Sequence, residues 1–121
     1  SPGGWAARVA MLASAWGASG VVAEANQGGE MVRSVLMSAG CEVPVKLVHA
    51  RLGKAGRAAP VLALYQQGRV GHAGMFPELE DEMCSFGAAG FLGSPDRVDA
   101  LVWAITALVL ERRGEPRVVG L

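Results

Sequence analysis

Apolar residues recur every three or four positions in several segments of the chain, and a glycine follows most of these segments. Helices are therefore predicted to end near Gly17, Gly40 and Gly68, because glycine readily adopts the conformation that terminates a helix. A short helix is predicted to begin at Pro77 and a longer one at Asp96. The longer helix is expected to bury one apolar face, which comprises Val98, Leu101, Val102, Ile105 and Leu108.

Short apolar runs between the predicted helices indicate strands. Residues 21–25 and 43–50 form two such runs, and residues 70–73 predict a third, brief strand. Helices thus alternate with strands along the chain, an order that favours an α/β fold with parallel strands. The sequence is predicted to form one domain of this class, or part of one.

Composition supports a protein with a packed core and excludes a disordered chain. Of the 121 residues, 51% are hydrophobic and 18% are charged. The apolar run at residues 100–110 is too short to cross a membrane, since a spanning helix needs about 20 apolar residues. Cys41 and Cys84 lack the spacing of a zinc site and are expected to be reduced, buried thiols.

Three carboxylates are candidates for chemistry. Glu24 lies near the carboxyl end of the predicted strand 21–25, where open α/β sheets bind ligands, and a carboxylate buried there would need a partner. Asp96 and Asp99 are three residues apart at the start of the last helix and so share one face. Carboxylate oxygens suit Mg²⁺ or Mn²⁺. Structurally, Glu24 could instead pair with an arginine or point to solvent from an edge strand, and Asp96 could complement the helix dipole.

Charge is distributed unevenly, although eleven acidic and eleven basic residues give a net charge of zero. Residues 43–77 contain five basic residues and no acidic one. Within this stretch, residues 51–57 are predicted to form a basic loop that suits a phosphate backbone, or else an ordinary solvated loop. The acidic residues 78–82 are expected to be a solvated helix face, and His49 and His72 to be structural. The five basic residues are Lys46, Arg51, Lys54, Arg57 and Arg69.

Taken together, these segments resemble the carboxy-terminal nuclease domain of phage terminase large subunits, particularly those of prophages and gene transfer agents. The resemblance extends over residues 1–105. Its most specific parts are Val22–Gly29, Gly53–Val61, Gly68–His72, Phe76–Glu80 and Ser94–Ala104.

The resemblance implies an RNase H-like (resolvase-like) fold and a nuclease that uses two Mg²⁺ or Mn²⁺ ions. Such a domain cuts concatemeric double-stranded DNA during headful packaging, in the cytoplasm of the bacterial host. It implies catalytic and metal-binding roles for Glu24, Asp96 and Asp99. The cations expected to contact DNA are Lys54, Arg57, Arg51 and Arg69.

The family also carries an upstream strand with a further aspartate, an ATPase motor, and contacts to a small terminase subunit and the portal. Residues 1–121 are therefore expected to be a partial nuclease domain that binds metal weakly and cuts DNA poorly by itself. Strand 21–25 is expected to expose an edge through which copies could associate. Another RNase H-like nuclease or resolvase, and a non-catalytic α/β interaction domain, are the alternative functions.

Overall fold

The computed structural model describes residues 2–25, 28–86 and 94–111. The chain divides into two compact units, Ser1–Arg51 and Leu52–Leu121, and each is described by itself. Two residues of the segment Val22–Gly29, Asn26 and Gln27, lie outside the described residues. No helix in the described ranges is long and apolar enough to span a membrane.

The first unit alternates helices and strands. Helix α1 (Pro2–Ala15) precedes strand β1 (Val21–Glu24), and helix α2 (Gly29–Ser38) connects it to strand β2 (Val45–Val48). The two strands pair in parallel, with the first residue of β1 opposite the first residue of β2. The predicted parallel α/β arrangement is confirmed, although both strands are shorter than predicted.

Helix α1 packs through small residues rather than through its large apolar ones. Ala6 and Ala13 of α1 are buried, and Leu36 of α2 is 1% exposed. By contrast, Trp16 at the end of the first predicted helix is 80% exposed. Small side chains let two helices approach closely, so periodicity of large apolar residues marks this helix but not its buried face.

Backbone conformation and packing explain why glycines stand at the start of α2. Gly28 has φ +70°, a left-handed conformation that side chains disfavour. A Cβ atom at Gly29 would lie 3.0 Å from a methyl group of Leu47 and 3.1 Å from the Cβ atom of Ala25. Gly28 therefore supplies the left-handed residue before α2, and Gly29 permits the close approach of the start of α2 to Leu47 and Ala25.

The second unit is helical in the described residues. It contains α3 (Lys54–Gln66), α4 (Pro77–Ser85) and α5 (Asp96–Ile105), and α5 continues into a π-helical turn (Thr106–Leu110). The core joins α3 to α5, and Tyr65, Val70, Leu79, Met83 and Phe86 are among the residues that pack around it. Its buried members are Ala58, Val61, Leu64, Val98, Val102 and Ile105.

Four predictions about this unit are wrong. Cys84, expected to be buried, is exposed. Leu108 is 60% exposed because the wider π-helical turn rotates it away from the buried face of α5. The brief strand at 70–73 is absent, since this segment is held by its contacts with α3 and α4 rather than by a neighbouring strand. Residues 54–57 are the first turn of α3 rather than a loop.

Candidate active site

Two cations at the start of α3 meet two acids at the start of α5. Lys54 Nζ lies 3.1 Å from Asp96 Oδ1, and Arg57 Nη2 lies 2.8 Å from Asp99 Oδ1. Both elements place their charges three residues apart, so the two pairs lie one helical turn from each other. We call these four residues the α3–α5 charge cluster. It joins two of the predicted metal ligands to two of the predicted DNA-binding cations.

The outer pair of the cluster is open to solvent. The side chain of Lys54 is 38% exposed and that of Asp96 is 77% exposed. Ser94 Oγ donates a hydrogen bond of 2.5 Å to Asp96 Oδ1. Lys54 Nζ donates one hydrogen bond to Ser94 Oγ and another to Asp96 Oδ1. The Ser94 hydroxyl and, next, the Lys54 ammonium lower the pKa of Asp96 below its ordinary value. Asp96 is therefore ionised at neutral pH.

The inner pair is enclosed. The side chains of Arg57 and Asp99 are 10% and 12% exposed. Arg57 also donates to the carbonyl of Leu52, and its guanidinium carbon lies 5.2 Å from the ring centre of Trp103. Such a cation–π contact adds to the ion pair. Removing one partner of a buried pair costs about 3–5 kcal/mol, because the other charge is left without compensation.

One nitrogen of the Arg57 guanidinium lacks a hydrogen-bond acceptor in the described part of the chain. This nitrogen, Nε, is buried. The guanidinium therefore makes one hydrogen bond to Asp99, from Nη2 to Oδ1. An arginine can make two parallel hydrogen bonds to a carboxylate. The second oxygen of the Asp99 carboxylate lies outside this contact.

Glu24 belongs to the first unit. It is the last residue of β1, opposite Val48, and its side chain is exposed. The expectation of a carboxylate in a buried strand is wrong, because β1 is half-buried along its first three residues and emerges at Glu24. An exposed carboxylate at a strand end is nevertheless placed where α/β sheets bind ligands.

The remaining predicted DNA contacts also have solvent access. Arg51, the last residue of the first unit, is exposed, and so is Arg69, which follows α3 in the second unit. Arg57 differs from both because it is enclosed. Exposure therefore separates the four predicted phosphate-binding cations into three accessible ones and one, Arg57, whose side chain is largely enclosed.

The acidic segment at 78–82 is not simply a solvated face. Glu82 is 10% exposed, and its Oε1 atom accepts a 2.9 Å hydrogen bond from the Val98 backbone N–H. Glu80 Oε2 lies 2.7 Å from His72 Nδ1, whereas Glu78 forms an exposed ion pair with Arg97. Two of these acids thus stabilise the second unit, and sequence reasoning missed both.

His72 bridges α3 and α4. Its Nε2 atom lies 2.8 Å from the Tyr65 hydroxyl, while Nδ1 faces Glu80. In the neutral imidazole whose Nδ1–H donates to Glu80, Nε2 accepts from the Tyr65 hydroxyl. Burial, followed by repulsion from Glu80, raises the pKa of Tyr65 above its ordinary value. This chain of hydrogen bonds fixes the segment between the two helices.

Family comparison decides what kind of domain this is. The family model described as the terminase RNaseH-like domain matches residues 1–108. The chain belongs to the terminase RNaseH-like domain family. No curated protein and no solved structure gives a significant match. Membership confirms the RNase H-like α/β class and the predicted kinship with terminase nuclease domains.

Metal binding is a general property of RNase H-like nuclease domains. Within residues 2–25, 28–86 and 94–111, no group of three or more histidines, cysteines or acids is placed to hold a metal ion. Asp96 and Asp99 form a pair of hard oxygen donors, and each uses its Oδ1 atom in the contacts described above. Carboxylate oxygens are donors that Mg²⁺ or Mn²⁺ prefers, and the role of this pair as metal ligands stays a prediction.

Trp103 could have been found from spacing. It follows Asp96 by seven residues and Asp99 by four, so all three lie on one side of α5. No comparable pattern predicts Glu82 or Tyr65, whose partners come from other elements of the terminase domain.

Proposed function

We propose that this chain is the metal-dependent endonuclease domain of a DNA-packaging terminase from a phage, prophage or gene transfer agent. Membership in the terminase RNaseH-like family carries the proposal. The α3–α5 charge cluster adds to it, since acids able to hold metal stand beside cations able to hold phosphate. In this function the domain cuts concatemeric DNA during headful packaging.

The proposed metal ligands of the second unit are Asp96 and Asp99 of α5. Glu24 of the first unit is the further ligand that the family resemblance implies. The lowered pKa of Asp96 supports its role, because a ligating carboxylate must be ionised. Two Mg²⁺ or Mn²⁺ ions would activate water and stabilise the leaving oxygen of the phosphodiester. The carboxylates themselves would bind and orient the ions.

The proposed DNA contacts are the accessible cations Lys54, Arg51 and Arg69. Each is a long side chain with solvent access, and Lys54 lies beside Asp96. Basic side chains of this kind bind the phosphate backbone without reading sequence. Arg57 belongs to the same basic stretch but lies behind Lys54 in the cluster, against Trp103.

The proposed partners are those of a packaging motor. They are double-stranded DNA, an ATPase domain, a small terminase subunit and the portal, within the cytoplasm of the bacterial host. We also propose that copies of the chain associate through β1. In the described residues the sheet has two strands, so β1 has β2 on one side.

Cleavage by the protein encoded by the complete gene tests the nuclease. Nicking of supercoiled plasmid is measured with Mg²⁺ or Mn²⁺ and with a chelator. Glu24→Gln, Asp96→Asn and Asp99→Asn are each expected to slow nicking by about 100-fold, because a lost ligand removes several kcal/mol of transition-state stabilisation.

Glu78→Gln is the matched control. Glu78 is an acid of the same unit, but it is 79% exposed and pairs with Arg97 rather than with the cluster. Its nicking rate is expected to match that of the unchanged protein. Full activity in all three ligand variants would refute the proposed ligands, and the same activity in chelator would refute metal dependence. Absence of nicking by the unchanged protein would favour a non-catalytic domain.

A further inference from the structure

The two ion pairs of the α3–α5 charge cluster are similar in length but differ in their surroundings. Lys54 and Asp96 face solvent, whereas Arg57 and Asp99 are about nine-tenths buried. A cation must leave its acid before it can reach a DNA phosphate. The surroundings of each pair therefore decide which cation is available for DNA.

Lys54 can leave Asp96 readily. Water replaces its contacts with Asp96 and Ser94, and salt screens the attraction between exposed charges. A phosphate oxygen offers an ammonium group the same kind of partner as the carboxylate does. Exchange of Asp96 for phosphate therefore preserves the electrostatic environment of Lys54.

Arg57 cannot leave Asp99 as readily as Lys54 can leave Asp96. It would give up Asp99, the carbonyl of Leu52 and the face of Trp103 together. The Asp99 carboxylate would then remain in an enclosed site without a compensating charge, which is strongly unfavourable. Arg57 is thus a fixed part of the second unit.

We infer that Arg57 is a positioning residue that orients the Asp99 carboxylate, and that Lys54, one turn earlier on α3, is the cation that exchanges an acid for a DNA phosphate. This division of roles rests on the proposed function, in which Asp99 binds metal. It deepens that function by separating two neighbouring cations of one basic stretch.

Orientation by Arg57 has a specific chemical meaning. Its planar guanidinium bonds one oxygen of Asp99 and is itself fixed by the ring of Trp103, so the rotation of the carboxylate is restricted. Mutation of a group that hydrogen-bonds to a metal ligand typically changes the metal affinity by about 10–100-fold. Lysine keeps the charge of arginine but cannot reproduce the planar contact.

The first measurement is DNA binding without metal. Anisotropy of a labelled duplex is followed in chelator over a series of NaCl concentrations. Lys54→Gln is expected to reduce the slope of log affinity against log salt by about 0.9, the value for one phosphate contact. Arg57→Gln and Arg57→Lys are expected to leave the slope unchanged.

The second measurement is Mn²⁺ binding without DNA, by titration calorimetry. Arg57→Lys is expected to weaken Mn²⁺ binding by about tenfold, as for other groups that orient a metal ligand. Lys54→Gln is expected to weaken it less than threefold or to strengthen it. Arg97→Lys is the control with unchanged affinity, because Arg97 contacts Glu78 and Glu82 rather than Asp99.

The outcomes are distinguishable. Mn²⁺ affinity that is unaffected by Arg57→Lys overturns the positioning role, and so does a salt slope reduced by Arg57→Gln. Circular dichroism verifies that each variant is folded, and if Arg57→Gln unfolds, the Mn²⁺ affinity of Arg57→Lys decides alone. Absence of Mn²⁺ binding by the unchanged protein would instead overturn the proposed metal site itself.

Discussion

At the scale of single residues, surroundings outweigh residue type. Lys54 and Arg57 carry the same charge and lie on one helix face, yet one is accessible and the other is enclosed by Asp99, Leu52 and Trp103. A similar contrast separates Glu78, which is exposed, from Glu82, which is buried against α5. Function assigned by residue type alone would treat the members of each pair as equivalent.

Tyr65 provides a prediction at this scale. Tyr65→Phe removes the hydroxyl that donates to His72 and is expected to lower the free energy of unfolding by about 1 kcal/mol at pH 8. Because the pKa of Tyr65 is raised in the folded protein, the unfolded chain loses the proton first as pH increases. The contribution of the Tyr65 hydroxyl to the free energy of unfolding is therefore fully present below about pH 10 and declines as pH rises through the folded-state pKa of Tyr65.

Urea unfolding between pH 8 and pH 11 measures this effect. The difference in stability between the unchanged protein and Tyr65→Phe should shrink above about pH 10, where the phenol ionises. Tyr65 is the one tyrosine of the 121-residue chain, so phenolate absorbance follows its titration directly. A difference that stays constant across this range would contradict the raised pKa.

At the scale of elements, the start of α5 depends on α4. Glu82 accepts from the Val98 N–H, one of the first backbone donors of α5, which have no partner within their own helix. Pro95 precedes the helix and no side chain of α5 itself caps this end. The helix that carries Asp96 and Asp99 is thus capped by an acid from a neighbouring helix.

Glu82→Ala is accordingly expected to lower the free energy of unfolding by about 1–3 kcal/mol, since a partly buried N–H loses its acceptor. Glu82→Gln keeps an acceptor oxygen and should lose less. Glu78→Ala is the matched control, with an effect below about 0.5 kcal/mol, because its ion pair with Arg97 is exposed. Thermal unfolding compares the three, and equal losses for Glu82→Ala and Glu78→Ala would rule out the cap.

At the scale of the whole molecule, each unit has its own organisation. The first unit is built on a parallel strand pair and the second on the α3–α5 core. The backbone N–H of Val21 donates to the carbonyl of Pro44, just before β2. That of Ala25 donates to the carbonyl of Val48 in β2. Since alternate residues of a strand point to opposite edges, the N–H of Val22 points to the other edge of β1.

Val22→Pro tests association through this edge. It removes an N–H from the outer side of β1 and leaves the hydrogen bonds to β2 in place. The unchanged chain is expected to self-associate with increasing concentration in sedimentation velocity, and Val22→Pro to remain monomeric. Ala23→Pro is the contrasting variant, expected to destabilise the fold because its N–H faces β2. A monomeric unchanged chain at high concentration would contradict association through β1.

Much of the local structure was predictable from spacing. Helices ended near Gly17, Gly40 and Gly68 as predicted, and each of these glycines has positive φ. The start of α5 at Asp96 and the parallel α/β order were also predicted, because periodicity and termination signals act over a few residues. The predictions were wrong where tertiary contacts determined the local structure, as in segment 70–73, and where an irregular turn determined the exposure of a side chain, as at Leu108.

The sequence by itself therefore indicated the class of fold and the terminase family, and it predicted which residues would hold metal or phosphate. Tertiary structure alone decided how those residues meet. Lys54 and Arg57 contact acids 42 positions away in the chain, and their partial or near-complete burial follows from the packing of α3 on α5. Hydrophobic periodicity reports the spacing within one element, whereas an ion pair between elements depends on the angle and register at which they pack.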